Sequence, residues 1–264
     1  MRLLLGVASL LSLGIGVPLI VFSDYSDRFF LWPVDPALSA AFLGACYVAG
    51  GVFELVAARA RTWTEARIAV PGVVIFAIIT LIVTLLSFEQ INLLSPGAAP
   101  WIIVYIAYPG AAAMLWRRQA RQGRAGPSSG DLPRALRLGL AGAGALLVLY
   151  GAVLLLAPGP AGALWPWDPS PPGAYAGMAG MEPYFGAWLV GLGAVAIHGA
   201  RENDRRRLRP LFAGALALGA ALGLLLPRSA GVIDWERPSA WIFTAAIAGL
   251  LGLGAWGLLQ RRAA

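Results

Sequence analysis

A carboxyl inside an apolar stretch is the chain's most pointed chemical signal, and Glu54 is one, about one helical turn before Arg59. An acid in hydrocarbon is costly enough to signal function by default. At helical spacing Tyr47, Gly50, Gly51, Ala57 and Ala58 share its side of the segment. Such a small-residue face lets helices approach closely, so Glu54 is expected to point into a helix bundle, where a carboxyl suits carrying a proton. The competing expectation is an ion pair with Arg59 or Arg61, or a side chain that reaches back to the interface.

The lone histidine, His198, lies at a similar depth near Arg201. Imidazole titrates near neutrality, which suits a proton relay or pH sensor. A histidine at a helix C-terminal end is also simply satisfied by the helix dipole. The third candidate is the pair Asp35 and Asp168, each in a Trp-Pro-x-Asp-Pro loop. Two carboxylates at an outer vestibule would attract cations. Local rules give a plainer role: Asp as N-cap ahead of a proline at the first helical position, with Trp32 and Trp165 as interface anchors. Glu182-Pro183 has the form of another helix start.

One cysteine, Cys46, and one histidine exclude a disulfide and any multi-cysteine or His-rich metal site within one chain. Met178 and Met181 are too few soft ligands for a metal centre. No phosphate-binding loop, zinc-protease signature or nucleophile elbow occurs. The expectation is therefore no cofactor, no metal and no enzyme.

These residues need elements to hold them, and composition names the solvent. Of 264 residues 59% are apolar and 12% charged, with mean hydropathy +0.73, whereas a soluble domain carries about 25% charged residues. Charge-poor blocks fall at 3–22, 38–58, 68–88, 100–116, 136–157, 181–200, 210–226 and 239–258. Their length suits helices crossing about 30 Å of hydrocarbon, and they lack the strict alternation of barrel strands. The first block is read as a retained helix, since it is long and no A-x-A site follows it.

Charge sorts the connections. All 20 basic residues are arginine. Arg59, Arg61 and Arg67, then Arg117, Arg118, Arg121, Arg124, Arg134 and Arg137, then Arg201, Arg205, Arg206, Arg207 and Arg209, and finally Arg261 and Arg262 fall on one side of an eight-crossing chain. Asp24, Asp27, Asp35, Glu89, Asp168, Asp234 and Glu236 fall on the other, with only Arg28, Arg228 and Arg237. The positive-inside rule makes the arginine side, with both termini, cytoplasmic in a bacterial inner membrane. The net charge of +7 is thus topogenic. Nucleic acid is not an expected partner; anionic lipid at the arginine clusters is.

An internal duplication organises the blocks. Leu31-Trp32-Pro33-Val34-Asp35-Pro36 returns as Leu164-Trp165-Pro166-Trp167-Asp168-Pro169. Gly44, Gly51, Arg67 and Gly72 match Gly186, Gly193, Arg209 and Gly214, and Trp101 and Trp116 match Trp241 and Trp256. Glu54 matches Ala196, and His198 matches Val56, so the duplication supports no Glu54–His198 pair. The expected fold is all-α, a polytopic bundle of eight transmembrane helices in two parallel four-helix repeats: 1–116, a cytoplasmic Arg/Gly/Ser-rich linker 117–134, and 135–264. An even helix number keeps both copies the same way up.

The W-P-x-D-P loop, the Gly186-Ala187-Trp188 and Gly191-Leu192-Gly193 helix opening and the arginine-rich turn resemble uncharacterised multi-pass membrane proteins of high-GC bacteria. The resemblance implies no activity, substrate or site residue. Few polar groups inside the blocks favour a non-enzymatic accessory or scaffold component, partnered by a membrane protein or its own copies. The alternative is a small-solute or ion transporter with its route between the repeats.

Overall fold

A computed structural model describes residues 1–32, 34–90, 92, 94–122, 131–168 and 180–259. Pro33, Pro169, linker residues 123–130, Met178, Arg261 and Arg262 lie outside the described residues. The eight long helices are α1 (Arg2–Val21), α2 (Ala37–Ala58), α3 (Ala69–Leu86), α4 (Ala98–Gln122), α5 (Arg134–Leu156), α6 (Glu182–Glu202), α7 (Arg209–Arg228) and α8 (Pro238–Leu259). No strand occurs among the described residues. All eight helices are long and apolar enough to cross a membrane, so the fold is the expected all-α multi-pass bundle.

Local chemistry sets some of the helix ends. α6 and α7 each begin with proline in the first turn, at Pro183 and Pro210, where a missing N–H costs nothing. α6 stops at Asn203 in the left-handed conformation, φ 44°, a role asparagine tolerates. Two expectations need correction. α4 continues as helix through Gln122, into the stretch expected as linker, because Arg, Gln and Ala are good helix formers. At α2 the N-cap is Pro36, extended at ψ 163°, with no side-chain cap bond. Asp35 therefore stands one residue too early to cap, and it is exposed.

The helices pack in a crossed pattern. α1 lies on α2 and α5 on α6; α3 packs with α4 and α7 with α8; α2 also packs on α7, and α3 on α6. Glycine makes these contacts close. A Cβ on Gly44 would stand 2.7 Å from the Gly16 carbonyl, and one on Gly186 would stand 2.7 Å from the Gly151 carbonyl. A Cβ on Gly72 would run into Val195 of α6, and one on Gly214 would come within 3.1 Å of Phe53 of α2.

At one end of the bundle Arg2 donates to the carbonyls of Ala60 and Arg61 at 2.6 and 2.7 Å, and Leu132 N–H donates to Asn203 Oδ1 at 3.1 Å. At the opposite end Asn92 N–H donates to the Leu31 carbonyl, and Asp234 N–H to the Pro166 carbonyl, at 2.8 and 2.9 Å. The tryptophans at this second end do not all act as interface anchors. Trp101, Trp165 and Trp167 are buried. The indole N–H of Trp167 meets Ser39 Oγ at 3.0 Å and that of Trp101 meets Thr84 Oγ1 at 3.2 Å, so a protein acceptor replaces the headgroup. Trp32 stacks on Tyr184 at 4.4 Å, and Trp165 meets Phe42 edge-on at 5.3 Å.

Candidate functional site

Glu54 is 4% exposed, and no ion pair reaches it among the described residues. Arg59, its expected partner, is exposed at the end of α2. The carboxylate accepts a hydrogen bond from Ser12 Oγ of α1 at 3.1 Å. Both the ion-pair and the interface expectations give way to an inward-facing acid. The small-residue face of α2 accounts for it: Gly51 admits Leu13, whose Cγ would lie 2.7 Å from an added Cβ, and takes the Ser9 hydroxyl on its carbonyl at 2.7 Å. With α1 held that close, Ser12 sits beside Glu54.

The space in front of Glu54 is a cavity of about 660 Å³, within the range of roughly 300–1,000 Å³ common for small-molecule sites. Its walls come from both halves of the chain: Ser12, Tyr47, Glu54 and Tyr108 on one side, Leu192 and Leu250 on the other. Ala196, the position expected from the sequence to match Glu54, also lines it. The lining is overwhelmingly apolar and includes no arginine or histidine among the described residues. Leu10, Leu11 and Gly14 of α1 belong to the wall and are exposed, Leu10 to 72%. The cavity thus reaches the side of the bundle along α1.

Aromatic rings form its inner wall. Tyr47 and Tyr105 share a hydrogen bond of 2.7 Å between hydroxyls. Trp188 meets Tyr47 edge-on at 5.0 Å and Phe76 at 4.0 Å, and Trp101 lies 4.5 Å from Tyr105. Gly50 makes room for Trp188, whose ring would be 3.2 Å from an added Cβ. Tyr105 and Tyr108 both precede Pro109, which has no N–H to give the Tyr105 carbonyl.

The other sequence candidates fall elsewhere. His198 is half-buried at the arginine-rich end of α6, with Nε2 3.5 Å from Glu202 Oε1. The side chain of Glu202, 6% exposed, also holds Arg67 at 2.7 Å and Arg207 at 2.9 Å. That cluster ties the α2–α3 connection to the end of α6, and His198 belongs to it rather than to the cavity. Arg206 lies 3.9 Å from Glu65 and Arg205 stands over the Trp256 ring at 5.3 Å, so this arginine run is engaged with the protein. Asp35 and Asp168 are exposed in their loops. Cys46 is buried, and Met181 takes the Trp32 indole N–H on its sulfur at 3.4 Å.

Sequence reasoning missed the aromatic wall and Glu202. The wall had one legible sign, the spacing Trp101, Tyr105, Tyr108 along one helical face. It missed too that Glu182, read only as a helix start, is fully buried beside Gly162. The chain matches no family model, no curated protein and no solved structure.

Proposed function

We propose that this chain is a carrier for a small lipophilic solute, built from two tandem parallel four-helix repeats in a bacterial cytoplasmic membrane with its arginine-rich end inward. The carrying observation is the cavity of about 660 Å³ that holds a buried carboxyl and takes its walls from both halves. Support for the duplication comes from paired contacts. Gly16 against Gly44 has its counterpart in Gly151 against Gly186, and Gly72 against Val195 in Gly214 against Phe53. Each half lends its third helix to the second helix of the other, so movement between halves would reshape the cavity.

Benzophenone, a neutral lipophilic molecule that inserts into nearby C–H bonds under light, tests this directly. In native membranes it should mark Val104, Tyr108 and Leu192 to an extent that saturates as its concentration rises. Adducts confined to outward residues such as Leu3 and Leu224, with no saturation, would reject the carrier. A second reading, an accessory component joined to another membrane protein or to its own copies, is favoured by the scarcity of polar groups along the cavity. It is supported if purification brings down a stoichiometric partner and no saturable labelling occurs.

A further inference from the structure

We propose that the solute is a lipophilic monocation, with Glu54 as its counter-charge and the aromatic wall as its cradle; this rests on the carrier reading above. Three features converge. The carboxyl of Glu54 faces a space lined almost wholly by carbon, and the hydroxyl of Ser12 is its hydrogen-bond donor. An ion without a partner in hydrocarbon is costly, so a site of this kind is complete only with a proton or a cation at the carboxyl.

The rings supply the second feature. Tyr47, Phe76, Trp101, Tyr105 and Trp188 line the same cavity, and aromatic faces attract organic cations, most strongly where water is excluded. Anions find nothing there: the arginines that would bind them are clustered at the bundle end, on Glu202, Glu65 and Asp204. Third, the exposed α1 leucines at the cavity mouth open it sideways, the route a solute dissolved in the bilayer would take. A cation with bulky apolar groups satisfies all three, whereas a small hydrated metal ion would find too few oxygen ligands. The same carboxyl can hold a proton when the cation has left, which gives an exchange of one for the other with charge balanced.

The experiment compares three photoreactive probes built on one core on the full chain in lipid nanodiscs: benzophenone, its trimethylammonium derivative and its sulfonate derivative. Saturable labelling at Tyr108 and Val104 should occur for the cation at a concentration at least about tenfold lower than for the sulfonate, the scale expected for a buried charge pair. Glu54→Gln should remove that preference, and Glu54→Asp should restore it. The probe comparison on the unaltered chain needs no variant to fold. Saturable labelling by the neutral probe with no preference for the cation overturns this proposal and leaves the carrier reading standing. No saturable labelling by any of the three overturns both.

Discussion

Glu54 on α2 and Tyr105 on α4 line one cavity, each with its own hydrogen-bond partner, and each makes a separable contribution. Tyr105→Phe deletes one side of a buried hydroxyl pair, and the expected cost is about 0.6 kcal/mol, the usual size for a polar contact inside a membrane protein. Thermal unfolding in detergent should show a shift of that order; no shift would mean the pair is not formed. Glu54→Gln keeps the acceptor for Ser12, so helicity and melting should stay close to the unaltered protein. Glu54→Leu should lose the Ser12 contact and tighten α1 little. At this scale the sequence was legible in part. The small-residue face of α2 announced an inward acid. The rings around it come from α2, α3, α4 and α6, and their convergence is tertiary, invisible to local spacing. Asp35 was misread because Asp-Pro is a strong local cap pattern, and here an extended Pro36 starts α2 one residue later.

Helices in this bundle are held by close approach, and glycine sets the distance. Gly44→Ala and Gly186→Ala each place a Cβ at 2.7 Å from a backbone carbonyl, and each should cost about 1–3 kcal/mol by overpacking. Gly249→Ala meets nothing within 4 Å and should stay within about 0.5 kcal/mol of the unaltered protein. Equal melting temperatures for all three would count against the packing described. At the arginine-rich end, Glu202→Ala leaves Arg67 and Arg207 facing each other. Since the arginines are partly exposed, the expected loss is about 1–2 kcal/mol. A double-mutant cycle with Arg67→Ala should return a coupling energy well above its error; strict additivity would show that the pair is idle. Helix number and the cores of all eight spans were readable from hydropathy, because the requirement for about 20 apolar residues is strict. The overrun of α4 was not, since no apolar signal marks where a helix leaves the bilayer.

For the whole molecule, charge sorting and packing make one expectation about sidedness. In a Cys46→Ala background, single cysteines at the exposed positions Asp27 and Glu236 should react with a membrane-impermeant maleimide in intact cells. One at the exposed Asp131 should react only after permeabilisation. Labelling of Asp131→Cys from outside would invert or break the topology. The proposed duplication rests on matched glycines and loop tryptophans; the way each half reaches across to the other has no sign in the sequence, because which helix pairs with which is decided by shape in three dimensions. What joins these scales is one cavity made by both halves around one acid. A cryo-electron microscopy map of the protein in nanodiscs drawn from its own membranes tests this most directly. Density for a non-protein molecule between Glu54, Tyr108 and Leu192 is the expected result. A space closed by α1 against α4, with Glu54 turned to lipid, would contradict it.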